Sequence, residues 1–264
     1  MQEKTGNPVV TAATVAVAQE AARSVRTKLS RSLPGDRAKW KYGKLDGFKA
    51  VVDCIAGHSL RFAVSQIYVS DESQWARFFL QGHEFVRVAT TKGAGGSYLE
   101  PHLALKMHLL NLSSAALLGR IMRARSRGAR GGAAIEIEFT ADTDLRDTET
   151  EAFFQAALLE WPTRTRLYSE LGIRPIVRDA RCETEQAEPL LLLPDYLAGV
   201  YHHADPRTKL GSPVVSPEEA SLAIKDLRQR TGALLYEETR DFSLEYPLDH
   251  DESGDVIQRG RGLE

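Results

Sequence analysis

Cysteine and long apolar runs are scarce in this chain of 264 residues. The two cysteines, Cys54 and Cys182, lie far apart in unlike contexts, so the sequence predicts free buried thiols rather than a disulfide framework or a zinc ribbon. No apolar run approaches the roughly 18 residues that a membrane span needs. The N-terminus has no basic flank leading into an apolar stretch with a cleavage site. We therefore expect a cytoplasmic protein with no membrane partner.

Several catalytic signatures are also missing. The chain has no His-Glu-x-x-His and no Gly-x-Ser-x-Gly motif, which leaves zinc-protease and α/β-hydrolase interpretations without support. The glycine-rich residues 93–96 lack the Lys-Ser/Thr pair that completes a phosphate-binding loop. His202 and His203 are adjacent, so on a helix they face different directions and do not share a metal.

The net charge of −2 hides a strong asymmetry along the chain. Residues 1–50 carry ten Lys and Arg against four Asp and Glu, whereas residues 240–264 carry three against seven. Between them, residues 120–130 hold five arginines and no acid. This distribution is compatible with a polyanion bound near an acidic site. Solvated helix faces and a charged loop explain the same pattern.

Periodicity and turn signals predict strands that alternate with helices. The predicted strands are residues 8–18, 60–69, 133–139 and 173–178, and the predicted helices are residues 19–33, 48–55, 98–125, 149–171 and 195–203. This alternation indicates an α/β fold, a mixed sheet flanked by helices, over residues 1–205.

The chain changes character after residue 205. We expect residues 206–264 to form a C-terminal helical and irregular extension, with a mobile tail at 249–264. Ser216 and Glu219 have the spacing of a capping box, which predicts a helix that ends near Gly232. A strand is expected within residues 236–246.

The most informative segment is residues 189–199, Pro-Leu-Leu-Leu-Leu-Pro-Asp-Tyr-Leu-Ala-Gly. Four consecutive leucines indicate burial on more than one side. Asp195 follows them at the predicted start of a helix, and a carboxylate in such a context is expensive unless it is hydrogen-bonded, paired or bound to a metal. Asp195 is therefore either a helix cap or a site residue.

Other carboxylates follow predicted strands. Asp142 and Asp144 come after the strand at 133–139, and Asp179 comes after the strand at 173–178. Carboxylates at the ends of neighbouring strands hold hard divalent cations such as Mg²⁺. Two such ions about 4 Å apart can activate a water and stabilise the leaving oxygen in phosphodiester cleavage. The alternative is that these residues are loop and cap residues that lead into the next helix.

A basic and aromatic segment lies at residues 38–44, Ala-Lys-Trp-Lys-Tyr-Gly-Lys. Lysines interleaved with aromatic rings suit a nucleic-acid backbone, because the cations meet phosphates and the rings stack on bases. Equally, Trp40 could be a core residue with the stem of Lys39 along its surface.

Three segments in order resemble a known family. Thr5-Gly6-Asn7-Pro8 before a β-rich run, the pair Lys39-Trp40, and Pro194-Asp195-Tyr196-Leu197-Ala198-Gly199 are similar to the motifs of domain-of-unknown-function family 3800. These bacterial and phage proteins resemble ribonuclease H in fold. The resemblance covers about residues 3–205.

The resemblance implies a divalent-metal-dependent nuclease that hydrolyses phosphodiester bonds of nucleic acid. It implies catalytic roles for Asp195, Asp142 and Asp179, and Mg²⁺ or Mn²⁺ bound by Asp195, Asp142 and Asp144. The expected nucleic-acid contacts are Lys39, Lys41, Arg123, Arg125 and Arg127.

The chain departs from the family pattern at two acidic positions. The family opens on Asp-Glu-Ser-Gly, where this chain has Gln2 to Gly6, and the glutamate of its second motif falls at Arg37. The acidic site is therefore incomplete, which leaves as alternatives an N-terminal truncation and a non-catalytic member that binds nucleic acid or protein. Residues 251–254 repeat Asp-Glu-Ser-Gly in the tail, either as part of a permuted fold or as a coincidental acidic turn.

Overall fold

The protein is described by a computed structural model of mixed α/β type, with helices packed on small mixed sheets. The model describes residues 9–35, 39–68, 113–114, 117–121, 133–142, 173–208, 215–232, 234–241, 248–250 and 256–258.

Within the described residues the helices and strands follow the predicted order, whereas the predicted helix 149–171 and most of the predicted helix 98–125 lie outside those residues. The helices are α1 Gln19–Ser32, α2 Trp40–His58, α3 Leu192–Ala204 and α4 Pro217–Thr231, with a 3₁₀ turn at Pro189–Leu191. The strands are β1 Val9–Ala16, β2 Arg61–Tyr68, β3 Ala133–Asp142, β4 Ile173–Glu183, β5 Leu235–Asp241, β6 Leu248–His250 and β7 Val256–Gln258.

The main sheet has β2 at its centre. β1 pairs with β2 antiparallel, and β5 pairs with β2 parallel on the other side. Residues 62–67 of β2 are all buried, because both faces of this central strand are covered. The sheet therefore joins residues from both ends of the chain.

The two faces of the main sheet have different neighbours. Thr11 and Gln66 are register partners on one face, and their side chains meet α3 through His202 and the carbonyl of Tyr201. Thr14 lies on the opposite face, since side chains alternate along a strand, and its hydroxyl bonds to Ser113. The helices α1 to α4 thus share one core on a single face of this sheet.

The C-terminal segment belongs to the same core. Ser216 caps α4 through a complete capping box with Glu219, which confirms the predicted helix start. The apolar face of α4 packs into the core cluster through Ala220, Ile224 and Leu227. In the predicted mobile tail, β6 and β7 pair antiparallel with each other.

An ion pair joins α1 to the 3₁₀ turn. Arg26 holds both carboxylate oxygens of Glu188 at 2.8–3.1 Å, and Glu188 also accepts the backbone N–H of Leu190. Burial by itself raises the pKa of Glu188, but the hydrogen bonds from Arg26 and Leu190 outweigh it, so the pKa lies below its ordinary value. This pair fixes the segment that precedes α3 against α1.

Removing Arg26 should therefore loosen the start of α3. We expect Arg26→Met to lower the free energy of unfolding by about 2 kcal/mol at neutral pH, since a largely buried carboxylate loses its partner. Because the folded pKa of Glu188 is lowered, this difference should shrink as the pH falls through that pKa. Urea denaturation at pH 7 and pH 4 measures it. The double variant Arg26→Met/Glu188→Gln should recover part of the loss, and no recovery would contradict the ion-pair explanation.

None of the helices within the described ranges is long and apolar enough to cross a membrane.

Candidate functional site

The candidate site lies where α3 begins. Leu191, Leu192 and Leu193 are buried, as the leucine run predicts. They form the end of the 3₁₀ turn and the first residues of α3, so the helix starts three residues earlier than the sequence suggests. Asp195 lies inside the first turn of α3 and does not cap that helix, whose N-cap position is Leu191.

Asp195 instead caps a different helix. Its Oδ2 accepts the backbone N–H of Trp40 at 2.6 Å, and Trp40 is the first residue of α2. The N-cap residue of α2 is Lys39, which offers no side-chain cap. The first N–H groups of a helix have no acceptor within the helix, so a carboxylate that accepts from one of them stabilises the helix start. The alternative that Asp195 caps its own helix is therefore wrong, and the helix that it does cap starts 155 residues away in the chain.

The crossing of α2 and α3 depends on two glycines. Trp40 of α2 packs against Gly199 of α3, and Tyr196 of α3 packs against Gly47 of α2. A methyl group at either glycine would overlap the facing ring. The two rings also meet edge to face, with centroids 5.8 Å apart. This reciprocal packing sets the distance between Asp195 and the start of α2.

The surroundings of Asp195 disfavour the ionised form of its carboxyl group. Burial raises the pKa of its carboxyl group to about 6, and the Trp40 N–H bond only partly opposes this shift. The negative charges of Glu185 and Asp142 contribute to this rise in the pKa, while Lys39 opposes it. Three carboxylates, those of Asp142, Glu185 and Asp195, therefore act on the single ammonium group of Lys39. We call these three residues the acidic cluster.

Glu185 is a member of this cluster that the sequence did not reveal. Only 3% of its surface is exposed, and its Oε1 lies 3.0 Å from Nζ of Lys39. Oε1 makes this ion pair but no well-directed hydrogen bond. Glu185 nevertheless raises the pKa of Lys39. Three acids, Glu183, Glu185 and Glu188, lie within residues 183–188, and nothing in their pattern distinguishes the one that pairs with Lys39.

The basic residues lie on a separate turn of α2. The helix is interrupted at Lys44, whose φ of 45° and ψ of −138° are strained for a residue with a side chain. Before the break, Gly43 N–H bonds to the carbonyl of Lys39, which closes a single turn. Lys39 and the exposed Lys41 lie on this turn, next to the acidic cluster.

Asp142 and Asp179 are placed differently from each other. Asp142 is the last residue of β3 and lies within electrostatic range of Asp195. β4 extends to Glu183, so the prediction that its strand ends at 178 is wrong and Asp179 lies in mid-strand. There it pairs in register with Glu138, is about half exposed, and lies 4.0 Å from Arg181.

Other predicted site residues lie outside the described part of the chain. They are Asp144, Arg123, Arg125 and Arg127, together with Gln2, Arg37 and residues 251–255. Within the described ranges, no group of three or more His, Cys, Asp or Glu side chains is arranged to hold a metal ion. Asp142 and Asp195 nevertheless supply carboxylate oxygens, the donor type that Mg²⁺ and Mn²⁺ prefer.

No protein-family model matches this chain. Comparisons with curated proteins and with solved structures give no match either.

Proposed function

We propose that this protein is a divalent-metal-dependent phosphodiesterase that acts on nucleic acid, on an α/β fold resembling ribonuclease H. The observation that carries the proposal is the acidic cluster, in which Asp142 and Glu185 both act on the partly buried Asp195. One ammonium group, that of Lys39, lies among these three carboxylates. A divalent cation would balance the remaining negative charge, which is otherwise costly to bury.

The donor chemistry fits Mg²⁺ or Mn²⁺. Asp142 and Asp195 would hold the ion, since these ions are often bound by one or two carboxylates, with waters and substrate phosphate at the other positions. When bound, the ion would polarise the phosphoryl group and lower the pKa of a water molecule. The mixed strand directions of the described sheets also support a ribonuclease H-like arrangement, because that fold combines antiparallel and parallel pairs.

The side chains around the cluster have distinct roles in this proposal. The Trp40 N–H fixes Oδ2 of Asp195. Glu185 orients Lys39, whose side chain is half exposed and can hold a phosphate oxygen. Lys41 lies on the same turn and would contact the next phosphate.

A second candidate function is nucleic-acid binding without catalysis. It is favoured by the lack of a three-donor metal cluster within the described residues. It predicts that oligonucleotide binding depends on salt and not on Mn²⁺.

Mn²⁺ calorimetry on matched variants tests the proposal. Loss of even an outer-shell partner weakens metal binding by about 10–100-fold, so Asp142→Asn and Asp195→Asn should each weaken it at least this much. Asp179→Asn is the matched control, because it is the same substitution on an acid in the middle of β4. We expect the control to bind Mn²⁺ like the wild type.

Hydrolysis of bis(p-nitrophenyl) phosphate supplies the catalytic measurement. We expect turnover that requires Mn²⁺ and is lost in Asp142→Asn and Asp195→Asn but kept in Asp179→Asn. Absence of Mn²⁺ binding and of turnover in the wild type would contradict the proposal and leave the binding function in its place.

A further inference from the structure

The exposed side of α1 forms a basic groove, which we call the α1 groove. It has a volume of about 600 Å³, and its described lining is Glu20, Arg23, Ser24, Thr27, Lys28, Arg31 and Ser32. Three cations and one acid therefore face this space.

The groove is tied to the neighbouring helix α2. The carbonyl of Cys54 only accepts hydrogen bonds, so Nδ1 of His58 donates to it, and Nε2 of the same ring shares a hydrogen bond of 3.1 Å with the hydroxyl of Ser24. Lys28 donates to the carbonyl of Asp53 at 2.8 Å, which leaves two of its three N–H bonds for a ligand. The position of the Lys28 ammonium is thus set by contacts between helices.

The two arginines of the groove differ from most others in the described part of the chain. Neither Arg23 nor Arg31 has a carboxylate partner among the described residues. On the same helix, Arg26 pairs with Glu188. Other described arginines that pair with acids are Arg178, Arg181, Arg207, Arg228 and Arg230. The α1 groove therefore concentrates positive charge that the described residues do not neutralise.

A second cavity, of about 340 Å³, makes the contrast clear. It lies at the C-terminal end of α3, and its lining includes Tyr201, Asp205, Arg228 and Glu237. Tyr201 and Arg228 both bond to Glu237, and Asp205 pairs with Arg207. Its charges are satisfied internally, so it has less attraction for an ion than the α1 groove.

We infer that the α1 groove binds the sugar-phosphate backbone of a nucleic-acid strand, outside the acidic cluster. Arg23 and Arg31 are eight residues apart, which is about 12 Å along a helix. That length corresponds to about three or four phosphates at the 3.4 Å rise of one strand. The described lining has no aromatic residue to stack on a base, so the contact carries no sequence preference.

The composition of the lining favours nucleic acid over an anionic membrane. Every described lining residue is polar or charged, whereas an interfacial helix inserts apolar side chains into the lipid. The apolar residues Val25 and Leu29 of α1 are fully buried in the core and are not free to insert. That the polyanion is a nucleic acid rests on the proposed function. That the ligand is negatively charged follows from the cations that line the groove.

Fluorescence anisotropy with a labelled 20-nucleotide single strand tests the inference. We expect Arg23→Gln/Arg31→Gln to weaken binding by about tenfold or more near 0.1 M salt, and to reduce the slope of log affinity against log salt by about 1.4. Lys49→Gln/Lys225→Gln is the matched control, because it also removes two exposed cations but from other surfaces. Thermal unfolding of each variant checks that the fold is retained.

The outcomes separate the groove from the proposed chemistry. Unchanged affinity in Arg23→Gln/Arg31→Gln, or equal loss in the control, overturns the inference. Binding to anionic vesicles but not to the oligonucleotide also overturns it. Mn²⁺-dependent hydrolysis of bis(p-nitrophenyl) phosphate should be unchanged in Arg23→Gln/Arg31→Gln. If hydrolysis is absent from the wild type but the groove variant loses oligonucleotide binding, the inference stands and only the phosphodiesterase proposal fails.

Discussion

Asp195→Asn should stabilise the metal-free protein above about pH 6 while it removes Mn²⁺ binding. The asparagine oxygen can still accept the Trp40 N–H, so the cap of α2 is kept. The substitution removes a partly buried charge that faces two further carboxylates. We expect the free energy of unfolding to rise by up to about 3 kcal/mol at pH 7.5 in the presence of a chelator.

The pH dependence of this gain follows from the direction of the pKa shift. The carboxyl group of Asp195 ionises at about 6 in the folded protein and at 3.8 in the unfolded chain. The folded state therefore holds the proton more tightly, and the wild type loses stability as the pH rises from 3.8 to about 6. The advantage of Asp195→Asn should be full above about pH 6 and vanish near pH 4. Urea denaturation at pH 4.5, 6 and 7.5 measures it.

Asp195→Ala is the informative companion variant. It removes the charge but also removes the acceptor for the Trp40 N–H, so it should gain less stability than Asp195→Asn. If both variants are less stable than the wild type at pH 7.5, the carboxylate is a stabilising cap and its charge is not kept for function. Added Mn²⁺ should stabilise the wild type alone, by ligand binding to the folded state.

Gly199→Ala should be strongly destabilising. Its methyl group would overlap the ring of Trp40, and that ring is held by edge-to-face contacts with Tyr196 and His203. Gly47→Ala presents the same problem against Tyr196, which is completely buried. Inserting a methyl group into a packed core costs about 1–3 kcal/mol and occasionally more. Because both rings are enclosed, we expect each variant to lose about 3 kcal/mol in urea denaturation.

Gly57→Ala provides the control on the same helix. A methyl group there meets only the end of the Lys28 side chain at 3.2 Å, and a small shift of that flexible side chain relieves the contact. Alanine is the better helix former by up to about 1 kcal/mol, so this variant should be slightly more stable than the wild type. Equal effects of Gly57→Ala and Gly47→Ala would contradict the packing explanation for the crossing of α2 and α3.

The sequence predicted the local structure well where a local cause determines it. The leucine run, the capping box at Ser216 and the strands near residues 9–16 and 61–68 follow from burial patterns and turn chemistry that lie within each segment. The alternation of strands and helices indicated the mixed α/β class for the same reason.

The sequence could not predict the contacts that build the site. The sequence indicates that the carboxylate of Asp195 is costly to bury. Its hydrogen-bond partner, Trp40, comes close only because two helices distant in the chain cross at glycines. The burial of Glu185 has no local signal either, because its neighbours are equally acidic. The sequence predicts Asp179 at the end of a strand, yet pairing with β3, which is distant in the chain, extends that strand to Glu183.

The pairing of β2 with β5 has a consequence for the order of folding during synthesis. β2 emerges from the ribosome early, together with its antiparallel neighbour β1, whereas β5 begins at Leu235. Contacts between such distant segments form slowly, because a long loop must close first. Until residue 241 is available, the edge of β2 that β5 covers is open to pairing with other chains. A nascent chain that stalls before β5 is therefore the form of this protein most exposed to aggregation and to chaperones.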